Sequence, residues 1–251
     1  MFKSFKALFN WQVLLGVCLL SMSAVVYWMH YLIFGDSRHI FFYLIGDIAF
    51  VFIEVLLVVL ILHRWLNYRE KMLLLNKLNM VIGVFYSEVG LGLLRMLSPA
   101  DKKSKIVFDE LILRSDWTAK EFQTAHRKIS QYEYKVEIKQ ISLDSLRDYL
   151  SAKRDFLLRL LENPNLLEHE TFTNLLWAVF HLTEEITYRR SLQELAAKDA
   201  QHLAGDIKRV YQLLVLEWLN YMKHLQKDYP YLFSLAIRTN PFDPDACIEV
   251  K

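Results

Sequence analysis

The sequence predicts an all-α protein: an N-terminal transmembrane helical hairpin followed by a cytoplasmic helical domain of bundle-like character. Three observations predict it. Residues 13–34 and 40–62 are each long and apolar enough to cross a bilayer. The 251 residues hold only 7 Gly and 5 Pro, too few for the turns of an all-β fold. Six of the seven glycines precede position 98 and all five prolines follow it, so the two parts of the chain obey different rules.

Residues 1–12 form a short cytoplasmic segment carrying Lys3 and Lys6. The hairpin occupies 13–63. Residues 13–34 contain no Asp, Glu, Lys or Arg. At about 1.5 Å per residue such a helix spans a hydrocarbon core of roughly 30 Å. A cleaved signal peptide has a core of only about 7–15 residues ending at small side chains. Here the run is longer and ends on the bulky Trp28-Met29-His30-Tyr31. Gly35 to His39 connects it to the second span, and so short a link permits only an antiparallel hairpin. Arg64, Arg69, Lys71 and Lys77 follow the second span, so the positive-inside rule puts both termini in the cytoplasm. Trp11, Tyr27, Trp28, Tyr31 and Trp65 stand where interfacial anchors are expected.

Asp47 and Glu54 lie seven residues apart on one face of the second span. A carboxylate at the bilayer centre costs about 2.5–3.5 kcal/mol on insertion scales. The first span offers no Lys or Arg to neutralise them. Three arrangements meet that cost: a protonated pair hydrogen-bonded inside a helix bundle, an ion or proton path in an oligomer, or pairing with a basic transmembrane partner.

Residues 64–97 are expected to continue the second helix as a juxtamembrane segment. Asn76, Asn79, Gly83, Ser87 and Gly90 recur at three- and four-residue steps, a narrow small-polar stripe that lets another backbone approach closely. Length alone would admit a third span. Lys77, Glu88 and Arg95 inside the segment, and Lys102, Lys103 and Lys105 after it, argue that the chain stays cytoplasmic.

Residues 98–240 form the cytoplasmic all-helical domain, and 241–251 a tail. From 98 onward the chain has 22 Lys+Arg against 23 Asp+Glu, the balance of a soluble surface. Helices are expected over 104–113 and from Trp117, N-capped by Asp116, to about Gln131. Residues 132–139 alternate like a strand without a partner strand, and read as helix or extended linker. Further helices run from Ser142 to the stop at Asn163-Pro164, over 171–190, from Asp199 to about Lys227, and over 231–238.

The formal charge of +2 gives no electrostatic case for nucleic acid. No phosphate-binding glycine loop, H-E-x-x-H, G-x-S-x-G or C-x-x-C occurs. Cys18 lies in the first span and Cys247 in the tail, so the two are not expected to pair. His181 with Glu184, and Asp199 with His202, are each three apart, but the first has the reverse of the Glu-x-x-His order that bundle metal sites use. These side chains therefore read as helix surface, and neither metal nor cofactor is expected. Tyr211, Trp218, Tyr221, Tyr229, Tyr231 and Phe233 read as core or interface packing.

Leu78-Asn79-Met80-Val81-Ile82-Gly83-Val84-Phe85-Tyr86-Ser87-Glu88-Val89-Gly90, Phe180-His181-Leu182-Thr183-Glu184-Glu185 and the run from Tyr229 to Phe242 resemble segments of uncharacterised bacterial inner-membrane proteins with two transmembrane helices and a helical cytoplasmic domain. The resemblance implies a location and no activity. The expected function is that of a membrane-anchored, oligomeric interaction or regulatory protein, not an enzyme. Its partners would be the lipid bilayer, copies of itself, and a protein at the cytoplasmic domain. The alternative is a subunit of an oligomeric ion channel or transporter using Asp47 and Glu54.

Overall fold

The structure, a computed structural model, describes residues 2–101 and 104–249; the side chains at 2–10, 12, 37, 39, 75, 76, 104, 106–108 and 167 lie outside that description. Lys102 and Lys103, and the side chains of Lys3, Lys6 and Asn76, on which the sequence reading drew, are among those left outside. The chain separates into two compact units, Met1–Arg69 and Glu70–Lys251.

The first unit holds α1 (Phe2–Phe34) and the first part of α2 (Ser37–Phe85). The link between them is Gly35-Asp36, shorter than the five residues expected, because Ser37, Arg38 and His39 already belong to α2. Gly35 takes φ +64°, a left-handed conformation that closes α1, and its N–H donates to the Tyr31 carbonyl at 2.9 Å. Asp36 Oδ1 accepts the Arg38 N–H at 2.8 Å, which satisfies one of the free donors at the start of α2. Within α1, Ser21 returns its hydroxyl to the Val17 carbonyl at 2.8 Å, so this polar group needs no outside partner. No described side chain between residues 11 and 73 is buried.

The second unit begins inside α2, which runs on without a break to Phe85. Its core starts at Leu78 and continues through Ile82, Phe85, Val89, Leu93 and Leu97. Between Phe85 and α3 (Leu91–Leu97) the helix widens into a π turn, Tyr86–Gly90. The core positions step by 4, 3, 4, 4 and 4 residues. A regular α-helix alternates steps of three and four, which would put Gly92 and Met96 inside. The extra residue of the π turn shifts the phase by one and brings Leu93 and Leu97 inward instead. Tyr86 fixes the turn: its hydroxyl donates to the Leu214 carbonyl at 2.8 Å and its ring stacks on Tyr221 at 5.6 Å.

The remaining helices are α4 (Ser104–Leu111), α5 (Ala119–Ser130), α6 (Leu143–Leu161), α7 (Glu170–Thr187), α8 (Ala197–Asp228) and α9 (Pro230–Arg238). α8 is the axis of the unit. α3, α5, α7 and α9 all pack on it, and α6 packs on α7. It buries Leu203, Ile207, Val210, Leu214 and Trp218, the three- and four-residue stripe that its sequence shows.

One local expectation needs correction, and two segments are more closely fixed than the sequence alone implies. α5 starts at Ala119, capped by Thr118 rather than Asp116. Thr118 Oγ1 accepts the Glu121 N–H at 3.3 Å and Glu121 Oε2 accepts the Thr118 N–H at 2.6 Å, a reciprocal capping box. These hydrogen bonds from Thr118, with Arg114 beside them, hold the Glu121 carboxyl below its ordinary value. Residues 132–137 lie outside any helix, as the linker alternative has it, and a 3-10 turn follows at Ile138–Gln140. Val136 bridges Asp101 in antiparallel fashion, and the Glu137 N–H donates to the Ala100 carbonyl at 2.8 Å. Finally, the start of the expected tail is docked. Phe242 is buried with its ring 5.0 Å from Trp218, and buried Asn240 donates through Nδ2 to the Leu111 carbonyl at 2.7 Å.

Candidate functional site

Asp47 and Glu54 both lie on the exposed surface of α2, and no hydrogen bond or ion pair reaches either among the described residues. Seven residues at 100° each return to within about 20° of the starting direction, so the two carboxylates share a face.

The small-polar stripe is divided by the π turn. Asn79, Gly83 and Ser87 form one wall of an open apolar groove of about 650 Å³ in the second unit, faced by Tyr221 of α8 and by Tyr231 and Leu235 of α9. Gly90 does not reach it and is buried under Tyr86, whose Cδ1 would lie 2.5 Å from an added Cβ. Within the chain, the space at these glycines is taken by tyrosine side chains. At Gly83 an added Cβ would sit 2.6 Å from the Tyr221 hydroxyl, and at Gly92 it would sit 2.1 Å from the Tyr149 hydroxyl. Tyr149 donates to the Glu88 and Val89 carbonyls at 3.1 and 3.0 Å, where the change from π to α winding loosens the regular ladder. His224 also lines the groove. Its Nδ1 lies 2.9 Å from Asp228 Oδ2 while its Nε2 is buried with no hydrogen-bond partner among the described residues. Burial pushes the His224 imidazole below its ordinary pKa, against the opposing pull of Asp228. Met80, Val84 and Tyr231 expose large apolar surface along the same groove.

A second cluster lies where α7 meets α8. The sequence paired His181 with Glu184 and Asp199 with His202. The structure uses the four-residue steps instead, His181 with Glu185 on α7 and His202 with Asp206 on α8. Steps of four keep each pair on one helix face, and the packing of α7 on α8 turns the two faces together. Ligand atoms of His181, His202 and Asp206 lie within 4.8 Å of one another. Asp206 Oδ2 is 3.4 Å from His202 Nε2 and 3.7 Å from His181 Nε2. Asp206 is only 4% exposed, although both histidines are open to solvent. Its Oδ2 is buried without a hydrogen-bond partner among the described residues.

The charges around this cluster are already partitioned. Arg189 donates to Asp199 through Nη2 at 2.7 Å and to Glu185 Oε2 through Nη1 at 2.6 Å, and it also reaches the Glu185 carbonyl. The hydrogen bond from Arg189 lowers the pKa of Asp199 and of Glu185, and these contacts raise that of Arg189. Glu184 has turned away to Arg154 at 3.1 Å. Arg209 stands 3.5 Å from Asp206 Oδ1, the oxygen on the far side from the histidines. His181 and Arg209 also border an open depression of about 710 Å³ with Trp177, Asn174 and Gln212. Sequence reading missed Glu185 and Asp206 as partners of these histidines. The signal was present as H-x-x-x-E and H-x-x-x-D, and only the packing of α7 on α8 gives it meaning.

The chain matches the family described as "Uncharacterized protein MJ1433, C-terminal helical domain" over residues 74–238, and "MJ1433, N-terminal helical domain" over residues 4–66. The break between the two matches falls where the structure divides into its two units. Uncharacterized protein MJ1433 of the archaeon Methanocaldococcus jannaschii is 44% identical over 239 residues, covering 95% of this chain and 96% of that protein. No solved structure matches. With both helical domains matched in order and nearly the whole length aligned, the chain belongs to the MJ1433 family.

Proposed function

We propose that the protein is membrane-anchored through α1 and the first part of α2, with both termini on the cytoplasmic side, and that it acts by binding other proteins rather than by catalysis. The observation that carries this reading is the exposure of two helices long and apolar enough to cross a membrane, neither of which buries its apolar window within the chain. Contiguous exposed apolar surface beyond a few hundred Å² marks a membrane or protein contact. Arg64 and Arg69 directly after the second stretch support a cytoplasmic placement of the residues C-terminal to it. The groove beneath Met80 and Val84 supports a protein contact on the second unit.

Asp47 and Glu54 favour self-association. Unpaired carboxylates in hydrocarbon need partners, and copies of the same helix supply them by sharing protons or enclosing water. An ion path in such an oligomer is the second reading, motivated by the same two residues on one face.

Membrane fractionation tests the anchor. The full chain should stay with membranes through alkaline carbonate and release only with detergent, and a fluorescent protein fused after Lys251 should fold and glow inside the cell. Recovery in the soluble fraction, or activity of a periplasmic reporter at the same position, refutes it. For the second reading, Asp47→Asn with Glu54→Gln should abolish ion flux in proteoliposomes, and unchanged flux dismisses it.

A further inference from the structure

We propose that His181, His202 and Asp206 form a binding site for one divalent transition-metal ion of the zinc class, which ties α7 to α8. Four observations converge on it, and none depends on the membrane anchor.

The first is spacing. A tetrahedral zinc site with bonds of about 2.0–2.1 Å has ligand-to-ligand edges of roughly 3.3–3.5 Å. The two shorter separations here, 3.4 Å and 3.7 Å from Asp206 Oδ2, fall at or just outside that edge. The two imidazoles lie within 4.8 Å of each other, so closing the set also turns the exposed His181 and His202 side chains toward one another. Hydrogen bonds to a carboxylate would be shorter, about 2.7–2.9 Å.

The second is the buried oxygen. Asp206 is only 4% exposed, yet the oxygen that faces both imidazoles accepts no hydrogen bond among the described residues. A carboxylate oxygen held out of water without a donor is retained at a cost, and a coordinated cation is one way to meet it.

The third is charge. The carboxylates of Glu185, Asp199 and Asp206 face the guanidinium groups of Arg189 and Arg209, which leaves one negative charge in excess among these five groups. Arg189 is committed to Asp199 and Glu185, and Arg209 approaches Asp206 at Oδ1, 3.5 Å away.

The fourth is the donor set. Two imidazole nitrogens with one carboxylate oxygen suit zinc, iron(II) or cobalt(II), whereas calcium and magnesium want oxygen-rich surroundings. Three protein ligands leave a coordination position. Glu185, whose Oε1 lies 3.9 Å from His181 Nε2, is near enough to fill it, and so is solvent from the depression that His181 borders.

The experiment uses the full-length, tag-free protein in detergent, stripped with a chelator and dialysed. Zn²⁺ is titrated by calorimetry, and Co²⁺ is added separately to read coordination geometry from its visible absorption. We expect one Zn²⁺ per chain and an intense tetrahedral Co²⁺ band. His202→Gln and Asp206→Asn should each weaken Zn²⁺ binding by at least about 100-fold, beyond the 10- to 100-fold that loss of an outer-shell partner costs. His126→Gln, on α5, should change nothing. His202 and His181 are exposed, so their glutamine variants keep the test valid even if Asp206→Asn fails to fold. Absence of stoichiometric uptake by the unaltered protein, or uptake undiminished in the His202→Gln and His181→Gln variants, overturns the proposal.

Discussion

At the scale of single residues, packing and chemistry meet around tyrosines. Gly83 was legible as a small residue on a stripe, but its neighbour was not, because the Tyr221 hydroxyl arrives from α8, far away in the sequence. Gly83→Ala should lower stability by about 1–3 kcal/mol through overpacking, and combining it with Tyr221→Phe should recover part of that loss. Chemical denaturation of the four corners of that cycle measures the coupling, and strict additivity would show that the two side chains do not meet. His224 gives a pH signature. Its folded-state pKa is lowered, so the unfolded chain takes up a proton more readily, from about pH 6.5 downward. The stability it contributes is complete above that pH and declines as pH falls toward the folded value. Glu185 and Asp199 are also lowered, but as carboxylates their contribution persists until pH drops below about 4. Melting temperatures should therefore begin to fall between about pH 6.5 and 5, and His224→Gln should flatten that limb specifically.

Among the elements, those with strong periodicity were legible and those set by tertiary contacts were not. The helix opening at Ser142, its stop before Pro164 and the stop before Pro230 follow from side-chain caps and ring sterics that act within a few residues. The T-x-x-E at Thr118 was equally local and should have outranked Asp116. Thr118→Ala should cost about 1 kcal/mol, measured as a shift in denaturation midpoint. The π turn has no local signature, since it joins two apolar phases, one through Leu78, Ile82, Phe85 and Val89 and one through Leu93 and Leu97, that only the packed fold sets. The alternation over residues 132–137 was legible, but the bridge from Val136 to Asp101 could not be foreseen without the fold. Gly205 lies exposed within α8, and an added methyl would meet nothing within 4 Å. Gly205→Ala should raise stability by about 0.5–1 kcal/mol, visible as an upward shift in Tm. A loss instead would mean that the helix needs freedom at this point.

For the molecule as a whole, composition alone separated an apolar N-terminal part from a balanced C-terminal one, while the position of the divide had to come from packing. The change in Gly and Pro usage at residue 98 marks the end of α3, not the start of the second unit, which already claims Leu78 and Ile82 for its core. Residues 70–251, expressed alone, should fold with helical circular dichroism and melt cooperatively, because every buried core residue described lies within them. A non-cooperative melt would assign part of that stability to the missing segment. The early exposure has a further consequence during translation. Ribosomes deliver the chain from its first residue, so both long apolar helices emerge before any side chain that the domain will enclose. At about 5–20 residues per second, roughly 10–40 s pass between completion of the second apolar stretch and completion of α8 and α9. Completion of the domain gives neither stretch cover, since both apolar windows stay unburied within the chain, so the yield will depend on whatever shelters them from water as they emerge.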